Sequence, residues 1–419
     1  MISRLEALNF RCLRDISVPL GPFHVLAGPN GSGKSTCMEV VALIGRLVSS
    51  GLEAAVFERT QNFQDWVWKG TGTSFELAIE AKIPEERRDL IKNKRVDTVR
   101  YEVSIGLDLE TEEVAILSEK VLFKCAKSLV SEQRTLFPIE KTPRATLLAS
   151  KGQKDTQTVI SKVRGGNTNF SPEVLGKTGK RWAISFKLGP RLSALGALPL
   201  DESKFPVVTW FKKLLTEGVQ PLVLNSELIR KASPPGRFKG FKPDGSNLPW
   251  VIESLKRKRP QSLRDWIEHL QTGLPDLEGI RTIEREDDKH YYLKLLYHGG
   301  FEIPSWMVSD GTLRLLALTL PAYLKDFEGI FLIEEPENGI HPQAVATAIQ
   351  SLTSVYNAQV LLATHSPVIL SMVEPAQVLC FAKTDDGATD IVLGSEHPAL
   401  KDWRGEVNLG VLFAAGVLG

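Results

Sequence analysis

Apolar and polar positions repeat in two different ways along the chain. Residues 23–28 form a short apolar run ending in glycine, and residues 34–48 then carry apolar side chains at helical spacing. In the last quarter of the chain, apolar runs alternate with helical patterns, as in a parallel α/β sheet. Alternating stretches typical of antiparallel strands lie at 74–83, 98–107 and 115–125. The pattern therefore predicts an α/β fold with an antiparallel part and a parallel part.

Residues 126–260 show only weak periodicity and are rich in Pro, Gly and Lys; a predicted helix at 262–270 follows them. The segment contains 25 Lys and Arg against 10 Asp and Glu, whereas the rest of the chain contains 26 against 40. It either faces something acidic, such as nucleic acid or a partner, or is a solvated lysine-rich surface. We divide the chain into an N-terminal part (1–125), this basic insertion, and a C-terminal part (261–419).

Composition narrows the class of protein further. Hydrophobic residues make up 42% and charged residues 24% of the 419 positions, as in ordinary globular proteins. No run of about 18 apolar residues occurs, and the first ten residues are interrupted by charge, so they cannot serve as a signal peptide. The cysteines show neither metal-ligand nor disulfide spacing. We expect a cytoplasmic protein that does not enter a membrane.

Residues 28–36, GPNGSGKST, match the complete phosphate-binding pattern G-x-x-x-x-G-K-S/T between a predicted strand and a predicted helix. The glycines let backbone N–H groups turn toward phosphates, and the helix N-terminus adds partial positive charge. Lys34 is expected to reach the β- and γ-phosphates, and Ser35 to hold Mg²⁺. The predicted ligands are therefore ATP and Mg²⁺. The other predicted nucleotide-binding residues are Asn30, Gly31, Gly33 and Thr36.

Two adjacent carboxylates end the apolar run 330–333. Successive strand residues point to opposite faces, so Glu334 and Glu335 can act separately. We expect Glu334 to hold Mg²⁺ through water, and Glu335 to orient or deprotonate the attacking water.

Two further segments complete the predicted site. Residues 308–314 open a helix capped by Ser309 or Asp310, where Gly311 allows close backbone approach and the free N–H groups form an anion site. His365 follows another buried run and can donate a hydrogen bond to a γ-phosphate.

In this order the motifs resemble the ABC-type ATPase heads of the RecF, SMC and OLD proteins. Lys34 and Ser35 match the Walker A motif, Glu334 and Glu335 the Walker B motif, and His365 the switch histidine. The resemblance implies a P-loop NTPase head, interrupted here by the basic segment, that forms a homodimer around two ATP molecules. Residues 309–314 match the signature sequence, which in that family contacts the ATP of the other subunit. Residues 338–341 take the place of the D-loop, and Arg11, in Asn-Phe-Arg, looks like the arginine that lies near the nucleotide.

The sequence also departs from this family. Glu334 stands where many ABC proteins have Asp, and no residue is assigned as the Q-loop glutamine, for which Gln61 and Gln64 are candidates only. Residues 336–342 are closest to OLD-like bacterial defence ATPases, which commonly continue into a TOPRIM nuclease domain. Because no acidic nuclease cluster precedes Gly419, we expect any nuclease to be a separate protein.

These features lead to a functional hypothesis: an ATPase that dimerises around ATP and regulates a separate, nuclease-like effector in an anti-phage defence complex. The first alternative is a RecF-like repair ATPase that clamps on DNA. A transporter subunit is disfavoured by the long insertion and by Ser-Asp-Gly-Thr at 309–312, where transporters have Leu-Ser-Gly-Gly. Residues 403–418 either pack on their own head or dock a partner.

Overall fold

The computed structural model describes residues 1–91, 93–126, 134–150, 156–174, 183–236, 240–401 and 408–418. Its strands are β1 (Ile2–Phe10), β2 (Leu13–Pro19), β3 (Phe23–Ala27), β4 (Ser74–Lys82), β5 (Thr98–Leu107), β6 (Val114–Lys124), β7 (Thr156–Val163), β8 (Thr168–Phe170), β9 (Ile184–Phe186), β10 (Val219–Leu222), β11 (Leu277–Glu284), β12 (Tyr291–Tyr297), β13 (Phe301–Pro304), β14 (Gly329–Glu334), β15 (Ala358–Ala363), β16 (Val378–Lys383) and β17 (Thr389–Leu393).

The helices lie between and after these strands. They are α1 (Lys34–Val56), α2 (Glu85–Arg88), α3 (Pro206–Glu217), α4 (Ser226–Ile229), α5 (Leu248–Lys258), α6 (Pro260–Gln271), α7 (Asp310–Thr319), α8 (Pro342–Thr353), α9 (Pro367–Leu370) and α10 (Leu409–Ala414). None of those in the described part of the chain combines the length and the apolar character needed to span a bilayer.

The central sheet has the strand order β10-β14-β15-β3-β16-β17, in which all neighbours are parallel except β16 and β17. Strands β3 and β15 are buried along their whole length, as strands covered on both faces must be. Alternation along β14 sends Ile330 and Leu332 into one hydrophobic core, and Phe331 and Ile333 into the other. The predicted parallel α/β architecture is confirmed.

The second sheet is antiparallel over β2-β1-β4-β5-β6-β7-β8-β9. The strands predicted at 74–83, 98–107 and 115–125 are β4, β5 and β6. One face of this sheet shares a core with the central sheet, and α1 contributes Val40, Val41, Leu43 and Ile44 to that core, all fully buried. The helix following the glycine-rich loop is therefore held between the two sheets.

The second core lies on the opposite face of the central sheet. It contains apolar residues of α5, α6, α7 and α8 together with the small antiparallel sheet β11-β12-β13. The predicted helix at 262–270 is α6. Helix α7 and the face of β14 that carries Phe331 and Ile333 therefore pack in this second core.

Segment 126–260 does not form a separate layer. Strands β7, β8 and β9 extend the antiparallel sheet, β10 forms the edge of the central sheet beside β14, and residues 144–149 cross the outer face of the antiparallel sheet. Backbone pairing therefore continues across the predicted boundaries at 125 and 260, and the division into three parts stays a prediction.

Much of the positive charge in segment 126–260 is matched by carboxylates elsewhere in the same chain. Residues of the segment that form ion pairs with acidic groups outside it are Arg134, Lys141, Arg144, Arg164, Arg191, Arg230 and Arg259. Part of the segment's positive charge therefore lies against acidic groups of the same chain, and a surface for nucleic acid or a partner stays a prediction.

Residues 408–418 also pack on the head. Leu409 is 2% exposed, and a Cβ on Gly410 would lie 2.1 Å from the carbonyl oxygen of Pro367. Helix α10 therefore contacts α9, the helix that begins two residues after His365. Residues 403–407 of the predicted tail lie outside the described residues.

Candidate nucleotide site

The predicted site residues converge because three parallel strands end at the same edge of the central sheet. In the strand register, Ala363 of β15 pairs with Leu26 of β3 on one side and with Glu334 of β14 on the other. Backbone bonds continue the alignment beyond the strands: Glu335 N–H donates to the Ala363 carbonyl at 2.8 Å, and Thr364 N–H donates to the Leu26 carbonyl at 3.2 Å. The glycine-rich loop, the paired carboxylates and the His365 segment follow these three ends, where open α/β sheets place their ligands.

The glycine-rich loop has a backbone that requires glycine at several positions. Gly31 and Gly33 have φ of 73° and 102°. A Cβ on Gly28 would lie 2.3 Å from the Phe381 carbonyl oxygen, because β16 runs directly alongside. Asn30 and Gly31 are exposed at the rim of the loop, whereas Thr36 is half-buried in the first turn of α1.

Lys34 begins α1 and folds back over the loop. Its Nζ donates to the carbonyl oxygens of Gly28 at 2.8 Å and Pro29 at 2.9 Å. The side chain is 7% exposed, and burial lowers the pKa of Lys34 to about 8, while Glu335 and Glu334 favour its charged form. Because a buried cation is stabilised by a charged partner, this arrangement favours an anion that can replace the two carbonyls.

Ser35 and Glu334, separated by 299 positions in sequence, meet at this edge. The Ser35 hydroxyl donates to Oε2 of Glu334 at 2.9 Å. A hydroxyl and a carboxylate oxygen are ligands that Mg²⁺ accepts, and Mg²⁺ bound beside phosphates usually takes only one or two protein ligands. Within the described residues, no cluster of three or more His, Cys, Asp or Glu forms a metal cage. The pair therefore fits a cation that reaches the site together with phosphates.

Glu335 lies at the sharp turn that ends β14. Its φ is 45°, a conformation that non-glycine residues rarely adopt and that is frequent at functional sites. The turn is fixed by Asn338, whose N–H donates to the Glu335 carbonyl at 3.0 Å and whose side-chain amide donates to Oε2 of Glu335. Glu335 is exposed, so its carboxylate is accessible to a ligand at the strand ends.

Arg11 is held beside the loop by a cluster that the sequence did not reveal. Its guanidinium lies 4.6 Å from the ring centre of Trp66, and its Nη1 lies 3.9 Å from Oε2 of Glu39. Glu39 also pairs with Arg46 and Arg59. The available signal was Glu39 itself, a carboxylate four residues after Ser35 that interrupts the apolar pattern between Met38 and Val40.

The signature segment begins α7. Ser309 is the cap, since its Oγ accepts from the Thr312 N–H at 3.3 Å, whereas Asp310 pairs with Arg230. A Cβ on Gly311 would lie 2.7 Å from the Gly339 carbonyl oxygen, so the helix start approaches the turn after Glu335 closely. Ser309 is exposed, and no hydrogen bond in the described part of the chain joins it to the glycine-rich loop.

His365 lies in the segment that follows β15 and is half-buried. Its backbone N–H donates to Oε1 of Glu337 at 3.3 Å, and the Thr364 hydroxyl donates to the same oxygen. Glu337 was not predicted as a site residue. Gln61 is exposed and Gln64 lies in a short 3₁₀ helix, Phe63–Trp66, so the choice between them stays a prediction.

Comparisons with known proteins agree with this arrangement. A family model described as "AAA domain, putative AbiEii toxin, Type IV TA system" matches residues 168–371, a little under half of the chain, which include α7 and β14. An OLD nuclease of Thermus scotoductus is 50% identical over 44 residues, which are 10% of this chain and 8% of that protein. The DNA replication and repair protein RecF of Brucella abortus is 41% identical over 58 residues, 14% of this chain and 15% of RecF.

Two solved structures share the fold over nearly the whole chain. One is an Smc head bound to the C-terminal winged-helix domain of ScpA, with a TM-score of 0.54 and 13% identity over 93% of this chain and 97% of that one. The other, derived from Pyrococcus furiosus, is an Smc head with an extended coiled coil bound to the C-terminal domain of ScpA, with a TM-score of 0.52 and 12% identity over 93% and 95%. The fold is thus that of an ABC-type ATPase head. The local matches to an OLD nuclease and to RecF, together with this fold, are consistent with the RecF/SMC/OLD-like class that the order of the motifs predicted.

Proposed function

We propose that this protein binds and hydrolyses Mg-ATP between two copies of the chain, and that its nucleotide state controls a separate effector in an anti-phage defence complex. The contact between Ser35 and Glu334 carries the catalytic part of the proposal, because it joins the glycine-rich loop to the carboxylates of a distant strand. Lys34 and the loop N–H groups bind the phosphates, Ser35 and Glu334 hold Mg²⁺, and Glu335 orients the attacking water. His365 donates a hydrogen bond to the γ-phosphate.

The exposed cap of α7 supports the dimeric part of the proposal. The Ser309 hydroxyl accepts a hydrogen bond from the Thr312 N–H in the first turn of α7. Its side chain is exposed, and among the described residues it forms no hydrogen bond with a nucleotide-binding residue of the same chain. Free N–H groups at a helix start attract phosphate. Ser309 and Gly311 of one copy therefore complete the site formed by Lys34 of the other.

Control of an effector is supported by the local identity with an OLD nuclease, whereas the RecF match favours a DNA clamp as the second candidate. Both can be tested by isolating the tagged protein with ATP from its native host and measuring the mass and composition of the complex. A defined partner whose own catalytic activity changes with added ATP supports the effector proposal. A homodimer carrying only DNA contradicts it and supports the clamp.

Affinity for ATP should depend on pH through Lys34. With a pKa of about 8 in the free protein, the ammonium is fully charged at pH 7 and largely neutral at pH 9. The dissociation constant for ATP should therefore rise roughly tenfold between these values, measured by calorimetry at constant Mg²⁺. Lys34→Arg is the control, because its guanidinium stays charged over this range. An equal loss in that variant would show that another group titrates.

The DNA-clamp candidate predicts that DNA binding depends on exposed lysines at the end of α5. Lys256 and Lys258 are both exposed, and Lys256 has only a 3.6 Å surface contact to Glu253. Changing both to Glu should weaken duplex binding and make its salt dependence shallower by about two phosphate contacts. Lys401→Glu reverses a charge elsewhere on the surface and serves as the control. Equal binding and equal salt slopes would contradict a role for this cluster.

A further inference from the structure

Glu337 occupies an unusual position between two parts of the site. It lies two residues after Glu335, in the turn that leaves β14, yet its side chain reaches the end of β15. Oε1 accepts hydrogen bonds from the Thr364 hydroxyl and from the His365 backbone N–H, the latter at 3.3 Å. Thr364 is fully buried, and its Oγ1 in turn accepts from the Ser366 N–H at 2.9 Å. One carboxylate oxygen thus holds the Thr364 side chain and the His365 backbone directly, and the Ser366 N–H through the Thr364 hydroxyl.

The second oxygen of Glu337 makes this contact costly. Oε2 is buried and has no hydrogen-bond partner in the structure. A buried carboxylate oxygen without a partner costs free energy that a neutral residue would avoid. An apolar side chain could fill the same space, so the carboxylate is explained by what Oε1 holds and not by packing.

The residues that follow Glu337 contact the signature helix. Arg314 of α7 donates from Nη1 to the Asn338 carbonyl at 3.0 Å, and its side chain lies against Gly339. Gly339 has a φ of 77°, and its carbonyl approaches Gly311. Three consecutive residues of one turn therefore touch both the signature helix and the His365 segment.

We infer that Glu337 is a positioning residue that fixes His365 and couples its placement to the signature helix of the same chain. This inference rests on the proposed ATP hydrolysis. Glu337 touches no predicted ligand position and acts through Thr364 and the backbone of His365. A shift of the signature helix changes the 338–339 turn through Arg314, and Glu337 passes the change to the segment carrying the histidine.

The test uses a matched pair at Thr364 in the full chain. Thr364→Val keeps the shape of the side chain and removes the hydroxyl, whereas Thr364→Ser keeps the hydroxyl. We expect Thr364→Val to lower kcat for ATP roughly 10- to 100-fold, as a misplaced catalytic group does, with KM within about twofold of wild type. Thr364→Ser should restore most of the turnover. Melting temperature and ATP affinity, measured in parallel, separate a positioning effect from unfolding.

Glu337→Leu gives an independent measurement, because it removes the acceptor oxygen, whereas Glu337→Gln, whose amide retains one acceptor oxygen, is its matched control. We expect Glu337→Leu to lower kcat with KM preserved and to change the pH profile of kcat, since the histidine is no longer held in one position, and we expect Glu337→Gln to keep most of the turnover. If wild type hydrolyses ATP and both Thr364→Val and Glu337→Leu keep its kcat and pH profile, the inference is wrong. If wild type itself does not hydrolyse ATP, the proposed function fails, and that result is distinct.

Discussion

Glu335→Gln should bind ATP as wild type does, hydrolyse it at least about 100-fold more slowly, and accumulate as a closed dimer. The carboxylate is exposed at the end of β14, and the turn is fixed by Asn338 from the backbone as well as from the side chain. The amide preserves size and one acceptor oxygen but cannot take a proton. General bases of this kind contribute about 10²- to 10⁴-fold to rate.

Two measurements check this expectation on the same protein. Single-turnover hydrolysis gives the chemical step, and light scattering with and without Mg-ATP gives the mass. Glu334→Gln is the companion variant, because Oε2 of Glu334 accepts the hydrogen bond of the Ser35 hydroxyl. Loss of this carboxylate should make ATP binding depend less on Mg²⁺. Normal hydrolysis by Glu335→Gln would show that another group orients the water.

The elements around the glycine-rich loop could be predicted because each signal was local. The apolar run at 23–28 is β3, and the helical pattern from Lys34 is α1, whose predicted end near residue 48 lies three residues before a break in the helix at Gly51. Glu334 ends the buried strand β14 and Glu335 follows it, as the apolar run 330–333 predicted. The carboxyl ends of parallel strands lie at one edge of a sheet, so motifs that follow three such strands could be predicted to form one site.

Glu337 and Glu39 could not be predicted in the same way, because their roles depend on residues distant in sequence. Glu337 accepts a hydrogen bond from Thr364, which is 27 positions away. Glu39 of α1 pairs with Arg11, which lies in the turn between β1 and β2. Neither contact has a periodic or spacing signal. Each follows from the packing of α1 and β15 against neighbouring strands.

The strands of segment 126–260 were not predicted, because their signals are short and weak. Strand β10 has only four residues and includes Pro221, yet it forms the edge of the central sheet beside β14. An edge strand tolerates proline since it needs hydrogen bonds on one side only. The basic composition also had an internal explanation that composition alone could not show, namely ion pairs such as Arg134 with Asp390.

Lys34→Ala should abolish measurable ATP binding and, with it, turnover. The ammonium now held by the Gly28 and Pro29 carbonyls is the principal cation available to the β- and γ-phosphates. Charge-assisted hydrogen bonds contribute about 1.5–3 kcal/mol each, so losing two weakens binding by roughly 100-fold or more. Equilibrium binding of a fluorescent ATP analogue, with melting temperature as a check on folding, measures the loss.

A second lysine near the loop makes it possible to separate the specific contacts of Lys34 from the general positive potential of the site. The Nζ of Lys383, from β16, would lie 3.3 Å from a Cβ on Gly31, so positive charge remains at the rim of the loop when Lys34 is removed. If general positive potential were sufficient, Lys34→Ala would bind ATP with only a small loss, and Lys383→Ala would cost about as much. We expect a far larger loss for Lys34→Ala, because only a cation inside the loop can replace two carbonyl contacts by two phosphate contacts. Equal effects of the two variants would mean that the loop attracts phosphate without binding it in a defined position.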